Sequence, residues 1–161
     1  MYSRIELLLE KKLMGKHLTM SLANNKTYEL WHSFMISKKD IKNNITTDLI
    51  SLQRYDPSLT FSDFNQDTVF EKWAAIEVSD CSIVPAGMEG YILQGGLYAV
   101  FIHKGMASDF PKTFQFIFND WLPNSEYVLD NREHFEILGD KYKNNDPNSE
   151  EEIWVPVKSR A

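Results

Sequence analysis

GGLYAVFIHKG, residues 95–105, is an apolar run closed at both ends by glycine. It is far shorter than the roughly 20 apolar residues of a membrane span, and its glycine borders mark it as a β-strand. The residues after it decide the fold. Phe110, Phe114, Ile117, Phe118, Trp121 and Leu122 fall at offsets of four, seven, eight, eleven and twelve, the spacing of a helix buried on one side. Ser108 or Asp109 can cap its start. Pro123 ends it, because the residue before a proline avoids the helical region. Then HFEIL (134–138) and EIWVPVK (152–158) read as two strands, separated by a charged, Asn/Pro-rich loop at 139–150. The order is strand, helix, strand, strand.

The first half repeats that order without repeating the letters. Arg4–Leu9 and Lys12–Ser21 are extended, with Gly15 as a bend. Asn24 and Asn25 precede a helix over Thr27–Lys38 whose stripe is Tyr28, Trp31, Phe34 and Met35. The residues at 39–47 are polar. A strand at Leu49–Tyr55, a turn-rich stretch at 57–67 and a strand at Phe70–Ser79 follow. Residues 80–90, with Pro85, Gly87 and Gly90, read as a linker. The expected architecture is α+β: one domain over 1–161, built from pseudo-repeats at about 1–80 and 90–161. Its duplicated β-α-β-β units join into one antiparallel sheet. Two helices cover one face, and the other face is left as a central cleft.

Composition removes several classes of function. Seventeen basic against 23 acidic residues give a net charge of -6, which does not condense on nucleic acid. No helix-turn-helix or zinc finger is legible. Cys81 is the only cysteine, so neither an internal disulfide nor a thiolate metal cluster can form; a cytoplasmic, reducing setting is expected. The first ten residues contain an apolar run of only three, too short for an export signal. His17, His32, His103 and His134 show no ligand spacing, so no metal and no cofactor is expected. Gly95-Gly96 precedes a strand rather than a helix, so it is no phosphate loop, and Ser108 has no G-x-S-x-G context.

Strand alternation selects candidate site residues. Phe135 and Ile137 are expected under the second helix, with His134, Glu136 and Leu138 turned away from it. Ile153, Val155 and Val157 take the core face of the last strand, so Trp154 and Pro156 lie opposite. Glu136 and Trp154 then share one wall of the cleft. Trp73 and Glu77 are the matching wall from the first half, and Phe101 is a further lining candidate. Tyr28 and Trp31, on the first helix, can reach the cleft edge. A carboxylate among rings suits a lipophilic cation, each ring face adding ~0.5–2 kcal/mol. Pro156 is expected on an edge strand, where its missing N–H is not needed.

GGLYAVFIHKG at 95–105, WLPNSEY at 121–127, HFEIL at 134–138 and IWVPVK at 153–158 resemble the effector-binding domain of AraC-type and GyrI-like proteins, also found in multidrug-sensing regulators. The first half is similar only in layout. The resemblance implies a central cleft with aromatics around a buried glutamate, here Glu136, and Trp154 as a wall. It implies binding of a hydrophobic or cationic small molecule, in a stand-alone effector-binding protein linked to transcription regulation. A transcription regulator or DNA gyrase is then a possible partner, with no direct nucleic-acid or membrane contact. Two alternatives stay open. One is a hydrolase of strained electrophiles with Glu136 as general base. The other is a gyrase-inhibiting interaction module using the acidic stretch 146–152.

Overall fold

A computed structural model describes residues 3–161. The first half comprises β1 (Ser3–Leu8), β2 (Lys11–Met20), α1 (Thr27–Ser37), β3 (Asn44–Arg54) and β4 (Phe70–Val78). The second comprises β5 (Glu89–Leu93), β6 (Gly96–Lys104), α2 (Phe110–Gln115), β7 (Tyr127–Leu129), β8 (His134–Leu138) and β9 (Glu150–Ser159). α2 runs on through a wider turn at Phe116–Trp121, where the Leu122 N–H reaches back five residues to the Ile117 carbonyl at 2.8 Å. The fold is α+β, and its strands form one antiparallel sheet in the order β1-β6-β9-β8-β3-β4-β2-β5, with β7 beside the end of β9.

That order is a palindrome when β1 is equated with β5, β6 with β2, β9 with β4 and β8 with β3. Each half therefore lends its leading strand to the other: β1 pairs with β6, and β5 pairs with β2. Only Leu9 and Glu10 separate β1 from β2, and only Gln94 and Gly95 separate β5 from β6. Three Cα steps span at most about 11 Å, yet β1 and β5 are the two ends of the sheet. The sheet must curl until those ends approach one another. The crossovers touch where this happens: a Cβ on Gly95 would clash with the Leu8 carbonyl oxygen.

Curling gives the sheet an inside and an outside. Residues directly opposite one another in an antiparallel pair share a face. Trp73, Leu52, Phe135, Trp154 and Val100 are matched in register across β4, β3, β8, β9 and β6. With Leu8, Leu13, Leu93 and Tyr98 they form the buried inner cluster. Ala74, Ser51, Glu136, Ile153 and Phe101 form the neighbouring row on the outside. There α1 packs Leu30 and Phe34 on Met14, Ala74 and Ile76, and α2 packs Ile117 on Phe101, Ile153 and Val155.

Four expectations change. Phe135 and Ile137 lie inside the curl rather than under α2, so Glu136 lies on the helix side. Trp154 is buried in the inner cluster on the face without helices rather than standing on an open wall. Pro156 is not on an edge, because β9 lies between β6 and β8. Its carbonyl accepts from the Asp130 N–H at 2.9 Å, which puts the missing N–H at the break between β7 and β8. The segment at 80–90 also holds the start of β5.

Gly95→Ala forces a methyl group into two backbone segments that have no room to part. Urea unfolding should show a loss of about 1–3 kcal/mol with an unchanged m-value. A variant as stable as wild type would mean that the crossovers are not in contact.

Candidate functional site

Neither helix packs on the middle of the sheet. α1 sits over β2 and β4, α2 over β6 and β9, and between them runs a groove floored by β3 and β8. Its floor departs from an apolar core pattern: Ser51 and Gln53 on β3, His134 and Glu136 on β8, and Lys72 on β4 beside Gln53. Gln53 Nε2 donates to Glu136 Oε1 at 3.4 Å and to Ser51 Oγ at 3.3 Å. Among the described residues, Lys72 Nζ makes no hydrogen bond or ion pair.

Rings line the groove at one end. Phe110, Phe114 and Phe118 stack along α2, and Phe118 stacks on Phe61 with centroids 5.3 Å apart and planes 6° apart. Phe61 stacks on Phe64 in turn. Tyr55 meets Phe61, Phe64, Phe70 and His134 edge-on or tilted. On the α1 side, Ser33 accepts from Lys16 Nζ on β2 at 2.8 Å. Trp31 lies on the other flank of the Leu30–Phe34 stripe, packed against the α1 cluster and edge-on to Phe34.

The electrostatics follow from this enclosure. Glu136 keeps partial contact with solvent, yet burial pushes its carboxyl up to about 7, against the pull of the Lys72 charge and the Gln53 hydrogen bond. Glu151, on the same face of β9, is raised to about 8 by burial and then by the Glu136 charge. Burial lowers Lys72, opposed by both carboxylates. Burial and the nearby Arg132 charge hold His134 down to about 3, a neutral imidazole. Burial and Glu136 raise the Tyr55 phenol, which stays protonated. The groove can therefore offer one carboxylate in an apolar, aromatic setting, poised to ionise near neutrality.

Of the residues expected at a site, Glu136 lies on the helix-side face between α1 and α2, and Trp31 packs against the α1 cluster. Trp154 is not on that face: it is 5% exposed inside the curl, stacked on Phe135, with its indole N–H donating to Glu152 at 3.1 Å. Phe101 is on the helix face but lies under α2, edge-on to Trp121. Trp73 stacks on His17 inside the curl, and Glu77 pairs with Lys11 at 3.1 Å on that same inner face. Tyr28 is 78% exposed and stacks on His32, on the outer side of α1. Tyr55, Phe61, Phe64 and Phe118 were not among the expected site residues. The spacing of FSDF at 61–64 was the available signal, since two rings three residues apart in a single turn point the same way.

Comparison with known proteins identifies the family and the fold. A family model described as the GyrI-like small molecule binding domain matches residues 1–158. The transcriptional regulator BrlR of Pseudomonas aeruginosa is 26% identical over 132 residues, covering 80% of this chain and 45% of BrlR. The chain thus spans less than half the length of that curated relative. The solved structure of SAV2435 bound to tetraphenylphosphonium is similar with a TM-score of 0.73 at 17% identity, over 98% of this chain and 94% of the other. An EcmrR–DNA complex is similar with a TM-score of 0.74 at 14% identity, over 98% of this chain and 57% of the other. Identities this low speak for the fold alone. Among the described residues, no helix is long and apolar enough to cross a membrane.

The raised carboxyls fix a pH dependence of stability. A carboxyl held above its unfolded value binds more protons when folded, so its contribution falls as pH rises toward the folded value. His134, held low, works the other way but only up to about 6.5, its ordinary value. Between pH 6.5 and 8 the carboxyls should dominate, and thermal stability should fall. At pH 8, Glu136→Gln should be more stable than wild type by about 1–3 kcal/mol. A variant less stable than wild type at that pH would show that Glu136 is not desolvated.

Proposed function

The chain belongs to the GyrI-like small-molecule-binding family, and from that premise we propose that the groove between α1 and α2 binds a lipophilic organic cation. The observation that carries the reading is Glu136, a carboxyl group on a central strand, between two helices and beside a stack of rings. Its charge neutralises the ligand. Trp31, Tyr55, Phe61 and Phe118 supply apolar area and cation–π attraction. Desolvation strengthens the pairing, because a carboxylate that is costly to leave bare is relieved by a cation. That SAV2435 was solved with tetraphenylphosphonium supports the choice of ligand class. Likeness to BrlR supports a role linked to transcription regulation. A regulator or gyrase as a direct partner is a further part of the proposal that no single residue carries.

A hydrolytic use of the same groove has one supporting observation: a carboxyl near 7 suits a general base. The two uses separate in one variant. Binding of tetraphenylphosphonium, followed by quenching of tryptophan emission, should tighten from pH 6 to 8 as Glu136 ionises. Glu136→Gln should weaken it by roughly tenfold or more, a loss of about 1.4 kcal/mol or greater. Phe118→Ala should weaken it less, and Trp154→Phe should leave it unchanged. Uptake indifferent to Glu136 would overturn the reading; turnover of an electrophile that dies in Glu136→Gln while binding survives would replace it with the hydrolytic one.

A further inference from the structure

Beyond the ring end of the groove lies a separate concavity, with a volume of about 360 Å³. It sits at the end of β3 and the start of β8, between the turn at 55–61 and the segment that joins β7 to β8. Its lining stands on the helix side of the sheet. Leu129 packs with Val157 in the α2 cluster, and His134 is opposite Gln53, whose amide reaches Glu136 on that face. Tyr55 and Phe61 form the wall nearest the groove. The space suits a ligand of one or two rings.

His134 sets this concavity apart from an ordinary surface hollow. The residue is 9% exposed, and among the described residues neither ring nitrogen makes a hydrogen bond or an ion pair. Neither nitrogen is sealed in: among the described residues, the side-chain atom shut off from solvent without a partner is Arg132 Nη1. The imidazole lines the concavity, so its free nitrogens have access to it. A neutral imidazole carries one N–H donor and one lone pair. Leaving both unused inside a ring cluster is costly. Its neighbours cannot serve it, since Tyr55 and Phe61 bring rings to 5.2 and 5.1 Å between centroids. The Gln53 amide is turned to Glu136 and Ser51.

We propose that this concavity is a binding site for an uncharged phenol, its ring against Tyr55, Phe61 and Leu129 and its hydroxyl donating to the lone pair of His134. Charged ligands fit less well. Arg132 is tied to Asp130 at 2.8 Å and to the Leu97 and Val157 carbonyls, and its Nη1 is packed beside Gly96, so no free cation awaits an anion. Asp56, at the rim, accepts from the Ser58 N–H at 2.9 Å and the Ser58 hydroxyl at 2.7 Å. Burial and the Arg132 charge keep the imidazole itself neutral. An aliphatic alcohol could reach His134 but would make little use of the flanking rings. The site goes beyond the cation proposal, because it needs no ionised Glu136.

4-Cresol is the probe, and toluene, which lacks the hydroxyl, is the control. Nitrogen NMR of the histidine-labelled wild-type chain reads His134 directly and needs no variant. 4-Cresol should move one His134 ring nitrogen, together with amides at 55–61 and 128–134, and toluene should leave that nitrogen in place. 4-Cresol should bind at least about tenfold more tightly than toluene, because a site built around a hydroxyl discriminates against the analogue without one. His134→Phe, which keeps a ring among rings, should reduce 4-cresol to the level of toluene. Glu136→Gln should weaken tetraphenylphosphonium uptake and leave 4-cresol uptake as in wild type, so the two proposals fail separately. An unmoved His134 nitrogen at the solubility limit of 4-cresol, equal affinity for the two probes, or full 4-cresol affinity in His134→Phe overturns the site and leaves water as the partner of the imidazole. Loss of 4-cresol in Glu136→Gln alone would assign the phenol to the groove and overturn it equally.

Discussion

Two crossovers of two residues each, Leu9-Glu10 and Gln94-Gly95, constrain everything else in this molecule. Each forces a strand to leave its own half and pair with the other, across a sheet whose ends would otherwise lie far apart. The sheet can satisfy both only by curling. Curling seals one face around Trp73, Phe135, Tyr98 and Trp154. Both helices then have to pack outside, one on each half, and neither reaches the middle. The strands where the halves meet, β3 and β8, are left under a seam. Polar side chains stand on the central strands there: Ser51 and Gln53 are buried and Glu136 is half-buried.

The polar cluster along that seam is electrostatically unfavourable as it stands. Glu136 and Glu151 are each pushed above the ordinary carboxyl range by burial, and each suffers from or raises the other. Lys72 offsets both at a distance but pairs with neither. A chain selected for stability alone would place apolar residues here, as it does in the inner row of the same strands. Carboxyl groups tuned by desolvation, beside accessible rings, are the usual mark of a ligand site. The wide turn in the helix after Gln115 brings in the same physics, since such turns re-aim side chains. Phe118, which sits within it, joins the α2 rings to the turn at 61–64.

Strand–helix–strand–strand order was legible twice over, because the apolar stripe at Phe110–Leu122 and the glycine-bounded strand before it carry unmistakable periods. Glu136 was legible as a carboxyl out of place on an apolar strand. Its companions were not, for a physical reason. In a sheet buried on both sides, alternation separates two faces without saying which is which. HFEIL reads equally well with Phe135 under a helix or inside a curl, and the wrong choice moves every neighbour of Glu136 to the far side. Only register settles it, through Glu136 opposite Ser51 and Ile153. The exchange of β1 and β5 was illegible too, since nothing in Leu9-Glu10 or Gln94-Gly95 states which strand the chain pairs with next. Tyr55, Phe61 and Phe64 were passed over because turn-forming residues around them signalled loop, and a loop's rings find their partners only in three dimensions.

A crystal structure of the chain with tetraphenylphosphonium bound is the most direct measurement. The expected result is the phosphonium between α1 and α2, within about 6 Å of ring faces such as Phe118 or Trp31 and with Glu136 as its nearest carboxylate. A phosphonium seated inside the curl beside Trp154 and Phe135, or held away from Glu136 on an outer surface, would contradict the placement of the site on the helix side of the sheet.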